Sequence, residues 1–331
     1  MHNIKVGLVG CGRIAGTHLQ ALQQIEDAQI AGVADVDKTA AEQFAAKVSC
    51  PAYTDYQEMI TTEMPDIVVV CTPPAFHQEV SIFALQHGSH VMCEKPFAID
   101  TVAAQKMVEA AERAGRVISM ASKFRFVEDV AKAKELVQGG AIGKLVLVEI
   151  HFCGLADMRG RWPSNPALSG GGVLIDNGSH AVDIVRYLLG PISRVQAQHG
   201  RRVQGLRVED TSMVFVETLD GVWGRIDLSW SLEKDLDTYL SIHGSDGIIT
   251  VGWKVSRYRK YGSKEVVNFG IGYDKLRAFV NQHRNFIDCV RGQAKAVINA
   301  TDSYESVKVI EVAYWSARSN KWLEVEECVT R

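Results

Sequence analysis

Little in this chain of 331 residues marks an unusual environment. Its seven cysteines stand singly, none paired as CxxC, so neither a disulfide framework nor a zinc spacing is implied. Cys71 and Cys93 fall inside apolar runs and read as buried thiols in a reducing compartment. No apolar run approaches the roughly 20 residues that span a bilayer. The 36 basic and 39 acidic residues leave a formal charge of -3, no electrostatic footprint for nucleic acid. There is no internal repeat, no low-complexity tract, and no charged leader followed by an apolar segment and a small-residue cleavage site. A cytoplasmic protein with no membrane and no nucleic-acid partner is therefore expected. What is present is ordinary: 47% apolar and 23% charged residues exclude disorder and fibrous repeats. At about 150 residues per domain, the length suggests two domains.

Up to residue 122, short apolar runs alternate with helical patterns. Runs at 4–9, 30–34, 67–71, 90–93 and 117–120 read as strands. The run 67–71 (Ile-Val-Val-Val-Cys) is apolar on both faces, as a central covered strand requires. Helical spacing occupies 14–26, 39–48, 76–87 and 101–114, with Gly88 and Gly115 suited to C-terminal caps. Such alternation implies right-handed crossovers and a doubly wound parallel α/β sheet over 1–122. Beyond 122 the character changes. A helix at 127–137 leads to a strand at 145–148, and between 192 and 251 strand follows strand. Ile226, Leu228 and Trp230 alternate with Asp227, Ser229 and Ser231, so one face is buried and the other open. Two long helical stretches follow, 273–290 and 304–319. An α+β domain with an open, mainly antiparallel sheet is expected over 123–331, its final helix free to pack back on the first domain. An open face of that size pairs most naturally with another subunit, so a homodimer or homotetramer is expected.

Gly10-Cys11-Gly12-Arg13-Ile14-Ala15 fits the pattern GxGxx(G/A), with a strand before it, a helix after it and an acid at Asp35. Gly10 permits the tight turn, Gly12 lets the backbone approach a pyrophosphate, and Ala15 allows close helix–strand packing. The phosphates would meet the positive end of the helix that opens at Arg13 and Ile14. Asp35 can accept hydrogen bonds from a ribose diol and would repel a 2′-phosphate. NAD is the expected cofactor, with Lys38 near enough to leave NADP open.

Three further segments occur in order: Cys71-Thr72-Pro73-Pro74 with His77, then His90-Val91-Met92-Cys93-Glu94-Lys95-Pro96, then Gly170-Gly171-Gly172-Val173-Leu174-Ile175-Asp176-Asn177-Gly178-Ser179-His180. With the glycine turn, this ordered set resembles the Gfo/Idh/MocA family of NAD(P)-dependent oxidoreductases over essentially the whole chain. The resemblance implies a Rossmann domain followed by an α/β domain with an open sheet. It puts Gly10, Gly12 and Asp35 on the adenosine diphosphate half of the cofactor. Thr72, Pro73 and His77 would line the groove beside the nicotinamide half, and Glu94 would lie near the nicotinamide ribose. Lys95, Asp176 and His180 match the positions used at the reacting carbon. The chain departs from the family where Lys123, two positions before Arg125, replaces a frequent Asn. That removes an amide contact to the cofactor and adds a positive charge.

Oxidising a secondary alcohol requires a proton acceptor as hydride leaves, and histidine is neutral near pH 7. Asp176 and His180 are four apart and share a helix face, so the carboxylate can fix the imidazole tautomer or bind a substrate hydroxyl. Lys95 can donate to the developing alkoxide or, deprotonated, act as the base itself. The assignment adopted is His180 as base and Lys95 as donor, with the reverse left open. The three glycines before Asp176 are expected to expose backbone to a ligand. The plain alternatives are a helix-start acid with a satisfied core histidine, and a solvated strand-end lysine. No cluster has metal-ligand spacing, and no metal is expected.

Arg125, Arg161 and Trp162 are candidate substrate contacts; Arg159, Arg161 and Trp162 read equally well as a surface loop. Lys254, Arg257, Arg259, Lys260 and Lys264, interleaved with Trp253, Tyr258 and Tyr261, read as a solvated hairpin face, with nucleotide-sugar phosphate binding as the functional alternative. The function expected is hydride transfer between a nicotinamide cofactor and a secondary alcohol or ketone of a sugar, cyclitol or nucleotide sugar. Two competitors remain. A non-catalytic NAD(H)-binding regulator would not need Lys95, Asp176 and His180. A self-recycling oxidoreductase would keep its cofactor and pass hydride between two sugars.

Overall fold

The computed structural model describes residues 3–326. The chain divides into two compact units: residues up to Lys123 together with Leu276–Glu305, and Phe124–Lys275 together with the chain from Ser306 onward.

The first unit runs β1 (Ile4–Val9), α1 (Arg13–Leu22), β2 (Ala28–Ala34), α2 (Lys38–Ala45), β3 (Ala52–Tyr53), α3 (Tyr56–Glu63), β4 (Ile67–Val70), α4 (His77–Gln86), β5 (His90–Glu94), α5 (Thr101–Ala114) and β6 (Ile118–Ala121). The strands are parallel, in the order β3-β2-β1-β4-β5-β6. Every residue of β4 is buried, as its unbroken apolar run requires of a strand covered on both faces. The strand order reverses between β1 and β4, where a doubly wound sheet binds ligands at the carboxyl ends of its strands. Asp37, Asp55 and Asp100 cap α2, α3 and α5 by accepting from backbone N–H groups of the first turn. α5 ends on Gly115 in the left-handed conformation.

The second unit contains α6 (Glu128–Gln138), β7 (Leu145–Cys153), the single turn α7 (Pro166–Ser169) and α8 (Val173–Leu189). There follow β8 (Ile192–His199), β9 (Thr211–Thr218), β10 (Trp223–Ser229), β11 (Thr238–Gly244), β12 (Gly247–Gly252), β13 (Arg257–Lys260) and β14 (Val267–Asn268). α9 (Lys275–Val290), α10 (Ala300–Ser319) and β15 (Leu323–Glu324) complete the described chain. Its sheet has the order β14-β13-β12-β11-β7-β10-β9-β8-β15 and is antiparallel except for the pair β7–β10. Alternation decides its faces: in β9, Ser212, Val214, Val216 and Thr218 are buried while Met213 is exposed. α8 packs on β7, β9 and β10.

α9 follows the second sheet in sequence, yet its Phe279, Val280, Phe286 and Ile287 join the core of the first unit beside Leu8, Leu19 and Met92. Among the described residues no helix is long and apolar enough to cross a membrane.

Candidate active site

The glycine turn joins β1 to α1. Gly10 has φ +92°, and a Cβ there would lie 2.7 Å from the backbone carbonyl of Cys71, so both conformation and space demand glycine. Gly12 differs. A Cβ there would meet nothing within 4 Å, so packing does not ask for glycine, whereas close approach of a ligand would. α1 has no side-chain cap and no acid in its first turn, leaving the N–H groups of its first residues, Arg13 and Ile14 among them, open to an anion. Asp35 follows β2. Its carboxylate accepts from the backbone N–H of Cys11 at 2.7 Å and of Asp37 at 2.9 Å, which ties the turn to the end of β2. Each oxygen keeps a lone pair for a hydroxyl donor. Lys38 pairs along its own helix with Glu42 at 3.7 Å, on the surface. At the carboxyl end of β4, the Thr72 hydroxyl is buried and has no hydrogen-bond partner among the described residues. A glycine at position 12 that neither packing nor backbone conformation requires, an uncapped helix start and an orphaned hydroxyl together fit a dinucleotide.

His77 is placed differently from expectation. It is fully buried, with Nε2 2.9 Å from the Thr72 carbonyl and Nδ1 2.9 Å from the Pro96 carbonyl. Burial pushes its pKa down against the pull of those carbonyls, and a neutral ring donates to one of them at a time. His77 offers no ring face to the groove; it ties the Thr72-Pro73 turn to the segment that carries Lys95. Glu94, at the end of β5, is buried. One carboxylate oxygen accepts from the Lys95 backbone N–H at 3.0 Å, and the other lies 2.9 Å from His18 Nε2 on α1. Burial alone would raise its pKa, but the His18 hydrogen bond, with the charges of His18, Lys95 and Lys123, holds it below the usual carboxylate range. His18 Nδ1 in turn lies 2.8 Å from Nε2 of His283 on α9. Lys95 is half-buried at the strand end.

In the second unit, α8 presents Asp176, half-buried, and His180, only 6% exposed, one turn apart. His180 meets the ring of Phe124 edge-on, centroids 5.0 Å apart. Phe124 also stacks on Tyr273 and leans on Phe152 and Tyr239, and Trp253 closes this cluster against Tyr239 and Tyr273. Trp253 therefore belongs to the aromatic cluster, while Arg259 and Lys260 of β13 are solvated. The triple glycine serves a purpose other than exposing backbone to a ligand. A Cβ on Gly171 would lie 2.0 Å from the Tyr314 hydroxyl, and one on Gly172 would lie 2.0 Å from the Glu209 carbonyl oxygen. The buried Glu209 carboxylate accepts from the N–H groups of Gly172 and Leu174, both at 3.0 Å, and from the Tyr314 hydroxyl at 2.7 Å. The glycines admit a carboxylate cap onto the positive end of the helix that carries Asp176 and His180.

The three expected substrate contacts sit in two places. Arg125 is buried, its Nε 3.0 Å from both oxygens of Asp183 on α8 and its Nη2 2.6 Å from Oδ1. That guanidinium braces α8 rather than facing a substrate. Arg161 and Trp162 lie in an exposed loop, where Arg161 reaches the Asp157 carbonyl and the Met158 sulfur. In the same loop Arg159 grips Asp157, whose pKa it lowers to about 2.

Comparison with known proteins decides the family. Residues 4–122 match the Gfo/Idh/MocA model described as an oxidoreductase family, NAD-binding Rossmann fold, and residues 130–250 match the GFO/IDH/MocA C-terminal domain. The chain belongs to the Gfo/Idh/MocA family. D-Apiose dehydrogenase of Paraburkholderia graminis is 25% identical over 97% of this chain and 90% of its own length. Myo-inositol 2-dehydrogenase of Thermotoga maritima is 28% identical over 74% of each. The WlbA dehydrogenase of Bordetella pertussis, solved with NADH and UDP-GlcNAcA, shares the fold at a TM-score of 0.87, with 23% identity over 98% of both chains. This Gfo/Idh/MocA chain is thus an NAD(P)-dependent oxidoreductase with a Rossmann unit and an open-sheet unit.

Sequence reasoning missed the residues that hold this family's motif residues in place: His18 and His283 behind Glu94, Glu209 and Tyr314 at the start of α8, and Asp183 facing Arg125. His18 alone left a signal. It stands among Ala15, Leu19 and Leu22 on the core-facing stripe of α1, where a polar side chain must find a partner.

Proposed function

We propose that the protein is an NAD-dependent dehydrogenase that oxidises a secondary alcohol of a sugar, cyclitol or nucleotide sugar. The observation that carries the cofactor reading is Asp35, braced by two backbone N–H groups at the end of β2 with lone pairs left for a ribose diol. A carboxylate so fixed repels a 2′-phosphate, and Lys38, engaged with Glu42, is poorly placed to offset it. The substrate class rests on relatives named for apiose and inositol.

When bound, the nicotinamide supplies the hydride acceptor. The chain's own residues handle the proton. His180 takes it from the substrate hydroxyl, and Asp176, one turn earlier on the same face of α8, fixes the imidazole or holds a neighbouring hydroxyl. Lys95 donates to the oxygen as negative charge develops there. Glu209 and Tyr314, by capping α8, and Asp183, by engaging Arg125, set the direction in which that helix presents the pair. The open face of the second sheet is assigned to contact between copies in a homodimer or homotetramer, and the protein to the cytoplasm.

The deciding experiment is a panel of sugars, cyclitols and nucleotide sugars offered with NAD and with NADP, followed at the absorbance of reduced nicotinamide. Turnover of at least one such substrate with NAD is expected. Nucleotide binding without turnover of any polyol would support a regulator, and cofactor retained through dialysis would support hydride exchange between two sugars.

A further inference from the structure

The chain Glu94–His18–His283 lies wholly within the first unit and has no role in the proton transfer described above. Its three members are buried, and its two links are 2.9 and 2.8 Å long. Two protonation patterns satisfy both links without moving a heavy atom. With His18 neutral, its Nε2–H donates to Glu94 and its Nδ1 accepts from the Nε2–H of His283. With His18 cationic, both its nitrogens donate, and His283 shifts its own proton to Nδ1 and accepts at Nε2. His283 stays neutral in both, because burial and then the charge of His18 push its pKa well below the usual value. Phe279 packs edge-on against the His18 ring at 4.8 Å. The other titratable groups in the field of Glu94 are Cys71, His77 and Cys93, which burial keeps uncharged, and the cations Lys95 and Lys123.

With His18 neutral, Lys95 and Lys123 are the cations in the field of the Glu94 carboxylate; with His18 cationic, a further positive charge is hydrogen-bonded to it directly. That carboxylate also holds the backbone N–H of Lys95, at the strand end assigned to the nicotinamide half. The oxidised nicotinamide ring is cationic and the reduced ring is neutral. Resting on the reading of this site as a nicotinamide site, we infer that Glu94, His18 and His283 set the charge felt by the cofactor, and that preference for reduced over oxidised nucleotide is linked to uptake of one solvent proton at His18. No electron passes through the chain. The hydride moves from substrate carbon to cofactor and the hydroxyl proton goes to His180, while the proton at His18 only compensates charge.

The test is a pair of affinities, NADH and NAD, measured by fluorescence and calorimetry between about pH 5.5 and 8.5, where histidine changes charge. The preference for NADH should fall as pH rises, by at least about threefold and at most about tenfold per pH unit, the limit for one linked proton. Calorimetry in buffers of different ionisation enthalpy should show more protons taken up with NADH than with NAD, a check on wild-type protein that needs no variant. His283→Phe removes the acceptor that cationic His18 needs and should flatten the pH dependence at its high-pH value. His283→Gln, whose amide both donates and accepts, should restore it. Binding of both nucleotides with a flat preference in the wild type, or a slope unchanged in His283→Phe, overturns the inference alone. Failure to bind either nucleotide overturns the functional reading with it.

Discussion

Removing the charge of Asp183 is the sharpest probe of how α8 is held. Asp183 is fully buried and Arg125 only 5% exposed, with the guanidinium bound to both carboxylate oxygens at 2.6 to 3.0 Å. Asp183→Asn keeps the shape and strips the counter-charge from a cation that water does not reach. At 3 Å and an effective dielectric near 20 the lost attraction is about 5 kcal/mol, while the desolvation of Arg125 is not refunded. Removing one member of such a pair costs about 3–5 kcal/mol. At roughly 2–4 °C per kcal/mol the unfolding midpoint should fall by about 6–20 °C. The double change Arg125→Met with Asp183→Leu removes both charges and should recover most of the loss, since apolar side chains of similar volume replace buried pairs well. Urea and thermal unfolding followed by circular dichroism measure all three proteins. A loss below about 1 kcal/mol in Asp183→Asn, or a double variant as weak as the single, would refute the reasoning. The same double variant settles the role of Arg125: KM should stay within about threefold of wild type, and a rise of tens-fold at restored stability would return Arg125 to the substrate.

Gly172→Ala should lose about 1–3 kcal/mol or more of stability, because its Cβ meets the Glu209 carbonyl, whereas Gly12→Ala should fold normally yet bind nucleotide poorly; thermal scans and titrations with NAD separate the two. Asp35→Ala should lose about 1–3 kcal/mol of NAD affinity, and a wild type that binds NADP more tightly than NAD contradicts the ribose assignment. His180→Ala should bind NAD nearly unchanged while kcat falls by about 10²–10⁴, with an effect less than additive with that of Lys95→Ala; a pH limb of kcat/KM that survives in His180→Ala but not in Lys95→Ala would make Lys95 the base. His77 and His283 both have folded pKa values below 6.5, so the unfolded chain binds more protons and stability rises with pH until that value is passed. Urea midpoints should therefore fall as pH drops below about 6.5, and a midpoint that rises there would contradict the burial of these rings as neutral groups.

Much of the site was legible because its signals are local. Gly12, Ala15 and Asp35 belong to one strand–helix–strand unit, so their spacing carries their geometry. Asp176 and His180 are a helical turn apart, so their shared face follows from the helix alone. The alternation in β10 promised an open face at Asp227 and Ser229, but both are buried there, Asp227 beside His151, Arg225 and Lys234 and Ser229 against Thr211. The pattern over 273–290 marked α9 as a long helix, but helical spacing cannot say which core receives its apolar face. Nor could the extent of β7 be read: its apolar run stops at Val148, while the strand continues through outward-facing Glu149 and His151 to Cys153.

The supports of the site were illegible for the opposite reason. His18 meets His283 from 265 positions away, Gly172 meets Tyr314 from 142, and Arg125 meets Asp183 from 58. A chemical motif is short because reacting groups are aimed by one turn or one helix, whereas the groups that hold them come from whatever element folding brings alongside. The glycine triplet shows how this misleads. Glycine before a helix signals that something approaches the backbone closely, but not whether the visitor is a ligand or another part of the chain. At Gly12 the space is open, and the visitor is assigned to the cofactor. At Gly171 and Gly172 the space is filled by Tyr314 and Glu209. A glycine motif therefore distinguishes binding from packing only once the occupant of the missing Cβ position is known.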